Sequence, residues 1–388
     1  MISFDNTKTA FKYKSDKELK RALWLFKLMA HPKLNALGTK MLAISLKLGL
    51  PVIGLIRSTA FAQFCGGESI DECNNTMDKL AEHGVQSLLD YSVEGKEAEE
   101  DFNRTAKMVS NTIDIAKTNP AVPFAVFKLT GVMPLSLLQK LTEGSPLTEL
   151  EEKQYHFAIQ RIDKICKKAY SLGVPVMIDA EESWIQGAID QIVEEMMMNY
   201  NKESTIIYNT LQMYRHDRID FLKKSHKHSQ VNGYFLGVKI VRGAYMEKER
   251  ERAKINNYES PIQPTKDATD RDYDLALEYI MDNLPGMALC AGTHNEQSSD
   301  YLCGLMKVHK VKKDSSKVYF AQLLGMSDHI SFNLADAGFN VVKYVPFGPI
   351  KDVMPYLIRR AEENTSIAGQ TGRELRLLSE EVKRRKKA

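Results

Sequence analysis

Eight short runs of β-branched and aliphatic residues recur along this chain, each followed by a longer amphipathic stretch. They are Val85–Asp90, Phe124–Leu129, Val174–Asp179, Thr205–Gln212, Phe235–Val241, Met287–Gly292, Val318–Leu323 and Val341–Val345. Between them apolar residues return at every third or fourth position, as at Ile185, Ile189, Ile192 and Met196, which puts them on one face of a helix. Apolar strands joined by helices suit a parallel sheet, because parallel neighbours need a crossover connection that covers the sheet. Strand and helix alternating eight times predicts an α/β fold, a (β/α)8 TIM barrel. Two halves of a doubly wound sheet are the alternative.

The first run starts late, so residues 1–80 form an N-terminal helical arm, residues 81–370 the barrel, and residues 371–388 a basic C-terminal helix or tail. Leu23, Leu25, Phe26, Leu28 and Met29 of the arm, and the residues from Leu42 onward, need a partner surface. The most apolar stretch, Met41–Ile56, holds Lys47 and Pro51 and is closed by Arg57, which suits helices on a core rather than a membrane span. Shallow membrane contact is its lesser reading. The charged stretch Glu247–Arg271, with Pro261 and Pro264, predicts an extra excursion after the fifth strand. The ending Lys383–Lys387 reads as a solvated end, with anionic lipid as the other reading.

Net charge is +3 from 53 basic and 50 acidic residues, which supplies no bulk drive toward nucleic acid. Five cysteines form no CxxC pair, so neither a disulfide framework nor a zinc site is indicated. Asp5, Asp16 and Glu18 interrupt the N-terminal lysines, which argues against a secretory or transit segment and predicts a cytoplasmic protein. Neither GxGxxG nor GxxxxGK[ST] occurs, which disfavours a Rossmann dinucleotide and a P-loop nucleotide.

In a barrel of this kind chemistry sits at the carboxyl ends of the strands. The polar residues there are Asp90 and Glu94, Lys128, Asp179 with Glu181 and Glu182, Gln212, Lys239 with Arg242 and Tyr245, Thr293-His294-Asn295, Gln322 and Tyr344. After the last run, Tyr356 and the pair Arg359-Arg360 fall on one helix, with Glu363 a turn later. Guanidinium forks grip carboxylates through paired, charge-assisted bonds, and Tyr344 and Tyr356 would wall a compact apolar body beside that anion. Arginine pairs and strand lysines are also common as solvated or snorkelling charges. Here two lysines and two arginines together favour a positive pocket for a substrate carboxylate, a cofactor diphosphate, or both. His294 suits a general base, a cofactor contact or a structural turn. The Asp179–Glu182 carboxylates lack a histidine at ligand spacing, so no metal is expected. Lys128 or Lys239 as a Schiff-base amine, in an aldolase or lyase without flavin, is the rival from another class.

Several of these stretches together resemble proline dehydrogenase in its monofunctional, eukaryotic-like form. They are Gly237–Tyr245, Ile178–Glu182, Tyr319–Met326, Lys343–Gly348 and Tyr356–Asn364, in order, within a likeness running from roughly Leu88 to Glu380. The resemblance implies a distorted (β/α)8 barrel that holds FAD, oxidises L-proline to Δ1-pyrroline-5-carboxylate and passes electrons to a membrane quinone, with peripheral contact at the inner membrane. It implies that Arg359, Arg360 and Lys128 bind the proline carboxylate and that Glu363 orients an arginine. It implies that Tyr245, Leu323, Tyr344 and Tyr356 enclose the pyrrolidine ring, and that Asp179 links substrate pocket and flavin. Gln212, Lys239, Arg242, Gly243, Thr293, His294 and Asn295 fall on flavin-, diphosphate- or adenine-contacting positions, and Glu94 matches loosely. Lys239 stands where bifunctional bacterial relatives carry arginine. Tyr344 stands where the 4-hydroxyproline subfamily carries a small serine, so proline is the expected substrate and 4-hydroxyproline the alternative.

Arg359→Ala or Arg360→Ala is expected to raise the KM for proline far more than it weakens FAD retention. Losing a charge-assisted bond of about 1.5–3 kcal/mol corresponds to a roughly ten- to hundredfold rise in KM. Steady-state kinetics beside flavin content checks it, and flavin loss at constant KM would contradict the assignment.

Overall fold

Each of the eight runs is a strand. The computed structural model describes residues 2–30, 52–93, 97–366 and 370–387. Its strands are β1 (Gln86–Tyr91), β2 (Phe124–Lys128), β3 (Val176–Asp179), β4 (Ile207–Gln212), β5 (Leu236–Val241), β6 (Met287–Gly292), β7 (Val318–Leu323) and β8 (Val341–Phe347). They close into a barrel in chain order, with parallel pairing, which excludes the doubly wound alternative. β3 begins after Pro175, which has no N–H to give a ladder but accepts from Ala125 N at 3.0 Å. β8 runs two residues past its expected end, through Pro346, whose carbonyl accepts from Gly66 N at 2.8 Å.

The chain divides into two compact units, Glu94–Phe320 on the one hand and Met1–Val93 with Ala321–Ala388 on the other. In Glu94–Phe320, helices alternate with β2 to β6, and their starts are written locally. Thr148 and Glu151 form a capping box at the start of Glu149–Leu172, and Thr265 caps Lys266–Asp282. The excursion after β5 is a short helix, Met246–Ile255, followed by a strand-like bridge between Ile262 and Arg215. Buried Glu249 on that helix accepts from Ser183 N at 2.6 Å and from Ser183 Oγ at 2.5 Å. A carboxylate from the excursion thus caps the helix Ser183–Tyr200, where a negative charge also suits the dipole.

In the other unit the arm helix Asp16–Met29 starts at a Ser15–Glu18 capping box. Its Leu19, Ala22, Leu25, Phe26 and Met29 are buried with Phe61, Phe64, Val353, Met354, Leu357, Leu377 and Leu378. Leu28 lies on the outer face beside exposed Trp24. The stretch from Leu42 to Pro51 lies outside the described residues. The basic ending closes the helix Gln370–Lys387, in which Leu377 and Leu378 are buried. Arg385 donates to Phe11 O at 2.7 Å, to Lys14 O at 2.8 Å and to Asp16 Oδ1 at 2.9 Å, while Lys383, Arg384, Lys386 and Lys387 stay exposed. Apolar residues ahead of the basic run supply the packing that charge alone does not. Among the described residues no helix is long and apolar enough to cross a membrane.

Gly325 sits just after β7 at φ +75°, and a Cβ there would lie 2.1 Å from the Gln63 carbonyl oxygen. Gly325→Ala is expected to lower stability by about 2 kcal/mol or more, from strain and overlap together. Gly372→Ala, in an exposed helical turn with nothing within 4 Å, is expected to raise stability by roughly 0.5–1 kcal/mol. Denaturant midpoints of both variants check this.

Candidate functional site

Lys128 is the last residue of β2 and Asp179 the last of β3, and the two are register partners. Lys128 Nζ lies 3.7 Å from Asp179 Oδ2. Lys239 in β5, opposite Thr210 of β4 and Cys290 of β6, bonds the other oxygen, Oδ1. One carboxylate therefore holds two ammonium groups, and the trio keeps a net charge of one positive unit in a mostly buried place. Two lysines brought this close would repel without Asp179, so the carboxylate fixes both.

The turn after Asp179 is held from below. Gln212, the last residue of β4, donates to the Glu181 carbonyl, and Gln186 Oε1 accepts from Glu181 N at 2.9 Å. Asp190 Oδ1 accepts from Gln186 Nε2 and from Asn209 Nδ2, both at 2.9 Å, and its Oδ2 from Arg218 at 2.7 Å. The Glu181 carboxylate accepts from Thr130 N at 3.0 Å and from the Thr130 hydroxyl. Burial raises its pKa from 4.5 to about 7, against the pull of the Thr130 bonds and Lys128.

Arg242, just after β5, is held by three partners: Asp270 Oδ1 at 2.6 Å, Thr293 Oγ1 at 2.7 Å and Ser298 Oγ at 3.0 Å. Its guanidinium carbon stands 4.4 Å from the centre of the Tyr273 ring. Thr293 Oγ1 also accepts from Asn295 N at 3.0 Å, and Asn295 Oδ1 caps the helix Glu296–Val308 through Gln297 N and Ser298 N. His294 lies half-buried between them. Gly243 adopts φ +130°, and a Cβ there would meet the Tyr214 ring at 2.5 Å, so only bare backbone fits. Half-buried Tyr245 begins the excursion helix.

In the other unit Tyr344, Tyr356 and Arg360 are buried, and Arg359 and Leu323 are half-buried. Tyr356 and Arg360 are four apart on the helix Met354–Ser366 and share a face, with the guanidinium carbon 5.0 Å from the ring centre. Gln322 turns outward, accepting from Ser331 Oγ at 2.8 Å, which leaves Leu323 on the opposite face. Asp90 Oδ2 accepts from Ser92 Oγ at 2.6 Å. Glu363 belongs to the same helix as the arginines, but its side chain, like Glu94, lies outside the described residues.

The structure brings together Lys128, Asp179 and Lys239, then Arg242, Thr293 and Asn295, then Tyr356 and Arg360. Sequence reasoning missed Thr130, Asp270 and Ser298, which support these groups from loops and helix starts without any periodic signal. Among the described residues no group of three or more His, Cys, Asp or Glu side chains is placed to hold a metal. Buried cations, hydroxyls, amides and a side-chain-free glycine after β5 make a donor set that suits an anionic, diphosphate-bearing cofactor such as FAD.

Because folding raises the Glu181 pKa, the folded chain binds that proton more tightly, and this contribution to stability falls as pH rises from about 4.5 to about 7. Glu181→Gln is expected to gain thermal stability relative to the parent chain on going from about pH 5 to about pH 8. Melting curves across that range check it, and a constant difference would refute the raised value.

A family model described as proline dehydrogenase matches residues 73–373. The chain is 34% identical over 426 residues to "Proline dehydrogenase 1, mitochondrial" of Dictyostelium discoideum, covering 98% of this chain and 74% of that protein. It is 31% identical over 412 residues to the hydroxyproline dehydrogenase of Xenopus laevis, covering 97% of this chain and 88% of that protein. Among solved structures, proline utilization A (PutA) from Bdellovibrio bacteriovorus, inactivated by N-propargylglycine, is similar with a TM-score of 0.78 at 18% identity, a likeness of fold. That match covers 97% of this chain and 44% of the other, so the chain spans less than half of that structure. The motifs at the strand ends lie inside the matched residues, and the chain belongs to the proline dehydrogenase family.

Proposed function

We propose that this chain oxidises L-proline to Δ1-pyrroline-5-carboxylate, with FAD as its cofactor and a membrane quinone as the final electron acceptor. FAD, when bound, accepts the hydride that leaves the carbon beside the ring nitrogen. The chain's own work is positioning. Arg359, Arg360 and Lys128 grip the carboxylate, with Glu363 orienting an arginine, and Tyr245, Leu323, Tyr344 and Tyr356 enclose the apolar ring. Holding a reactant in an aligned pose accounts for about 7–11 kcal/mol of barrier in favourable systems, so no acid–base dyad is needed. Lys239, kept in place by Asp179, favours negative charge developing next to it. Gln212, Arg242, Gly243, Thr293, His294 and Asn295 hold the cofactor.

The observation that carries this reading is Arg360, a guanidinium only 5% exposed and stacked against Tyr356. A solvated surface arginine would have no reason to be buried there, whereas an anchor for a small carboxylate would. A quinone dissolves in the bilayer, so the proposal includes peripheral contact with a membrane, from the cytoplasmic side of an inner membrane.

The Xenopus relative named hydroxyproline dehydrogenase supplies the second reading, oxidation of 4-hydroxyproline. Tyr344 fills the space that a substrate hydroxyl would need, which favours proline. Anaerobic titration of the FAD-loaded protein separates the readings. L-proline is expected to bleach the flavin band at concentrations well below those of trans-4-hydroxy-L-proline. Equal bleaching would overturn the preference, and bleaching by neither would overturn the proposal.

A further inference from the structure

β7 ends in a strained turn. Gly325 has φ +75° and Ser327, which carries a side chain, has φ +50°. A left-handed non-glycine residue costs of order 1–3 kcal/mol and persists only where its surroundings over-determine it. Three buried side chains do so here. Gln63 Nε2 donates to Gly325 O at 2.9 Å, Glu374 Oε2 accepts from Ser327 N at 2.9 Å, and Lys343 Nζ donates to Leu323 O at 3.2 Å and also to Met326 O. Leu324 N in turn donates to Tyr344 O at 2.8 Å.

Lys343 is the residue before Tyr344 in β8, so the two side chains leave opposite faces of the strand. Its side chain is 0% exposed and lies 2.9 Å from Asp328 Oδ1, itself 1% exposed. Burial opposes charge on Asp328, but Lys343 and Lys14 overcome it and hold the carboxyl well below its usual range. A lysine buried without such a partner would be strongly unfavourable. Asp328 is completed by the arm: Tyr13 Oη donates to Oδ2 at 2.7 Å and Lys14 Nζ lies 3.4 Å away. The Tyr13 ring stacks on Phe332, with centroids 4.2 Å apart.

We infer that Lys343 is a positioning residue for the pocket wall formed by Leu323 and Tyr344, and that Tyr13 and Lys14 of the N-terminal arm hold it there through Asp328. The inference rests on the proposal that this wall encloses the substrate ring. One ammonium group fixes the backbone of Leu323 from one side while belonging to the strand that carries Tyr344, so its position sets the spacing of both. The arm is then part of the substrate site without touching substrate.

Tyr13→Phe tests this, since it removes one hydroxyl and leaves the ring stack. In the FAD-loaded full chain the KM for proline is expected to rise about three- to tenfold with kcat within about twofold and flavin content unchanged. In a Tyr344→Ser background the same substitution is expected to change KM by less than about twofold, because its effect passes through a wall residue already lost. Amide exchange at Leu324 and Ser327 is expected to quicken in Tyr13→Phe whatever the substrate. Equal fold-changes in both backgrounds, or a lower melting temperature at unchanged KM, would overturn the inference, and so would unchanged exchange. Quickened exchange in Tyr13→Phe, beside a parent chain that does not oxidise proline, would instead sink the functional reading and leave the anchor standing.

Discussion

A strand in a closed barrel has no free face: each side chain goes either toward the barrel's interior and mouth or outward beneath a helix. That alternation governs the pattern of buried charge in this chain. Tyr344 and Leu323 fall on one face, and their neighbours Lys343 and Gln322 must go to the other. A lysine driven under helices needs a carboxylate and carbonyls to meet it, and Asp328, Leu323 and Met326 meet Lys343. Lys239 has the matching need on its own strand, and Asp179 answers it. Such pairs add little net stability against an apolar alternative, but losing one partner leaves a buried charge uncompensated. Their effect is to fix geometry.

The same logic explains why the candidate site rests on supports that are not themselves strand residues. Arg242 is aimed by Asp270, Thr293 and Ser298, drawn from two helices and a loop. The turn following Asp179 is fixed by Gln186, Gln212 and Thr130, with Asp190 behind Gln186. The groups of the candidate site thus have their own hydrogen bonds met from behind, which holds them in one arrangement and limits the reorganisation any ligand would require.

Eight runs of β-branched residues announced the barrel because their period survives any tertiary context, and all eight are strands. Their ends were less readable: β3 starts late at a proline and β8 runs through one, outcomes decided by neighbouring carbonyls and amides rather than by local preference. Residues at strand ends, such as Lys128, Asp179 and Lys239, could be nominated from position alone. The Lys343–Asp328 pair could not, because a lysine inside an apolar run reads equally as a snorkelling side chain. Where the C-terminal helix packs was not legible for a related reason. Its charges dominate the composition, while Leu377 and Leu378, two residues among many polar ones, decide where it lies.

Arg385 meets the carbonyl of Lys14 across 371 positions of sequence. A contact that distant in the chain is formed late, since the loop it closes contains nearly everything else. Arg242 and its partners Asp270, Thr293 and Ser298, all within Glu94–Phe320, depend on no such long-range closure in their own unit. Folding order follows from that separation: the Arg242 network can assemble while the arm is still searching for its latch, and the Tyr13–Asp328 anchor behind Lys343 comes among the last contacts.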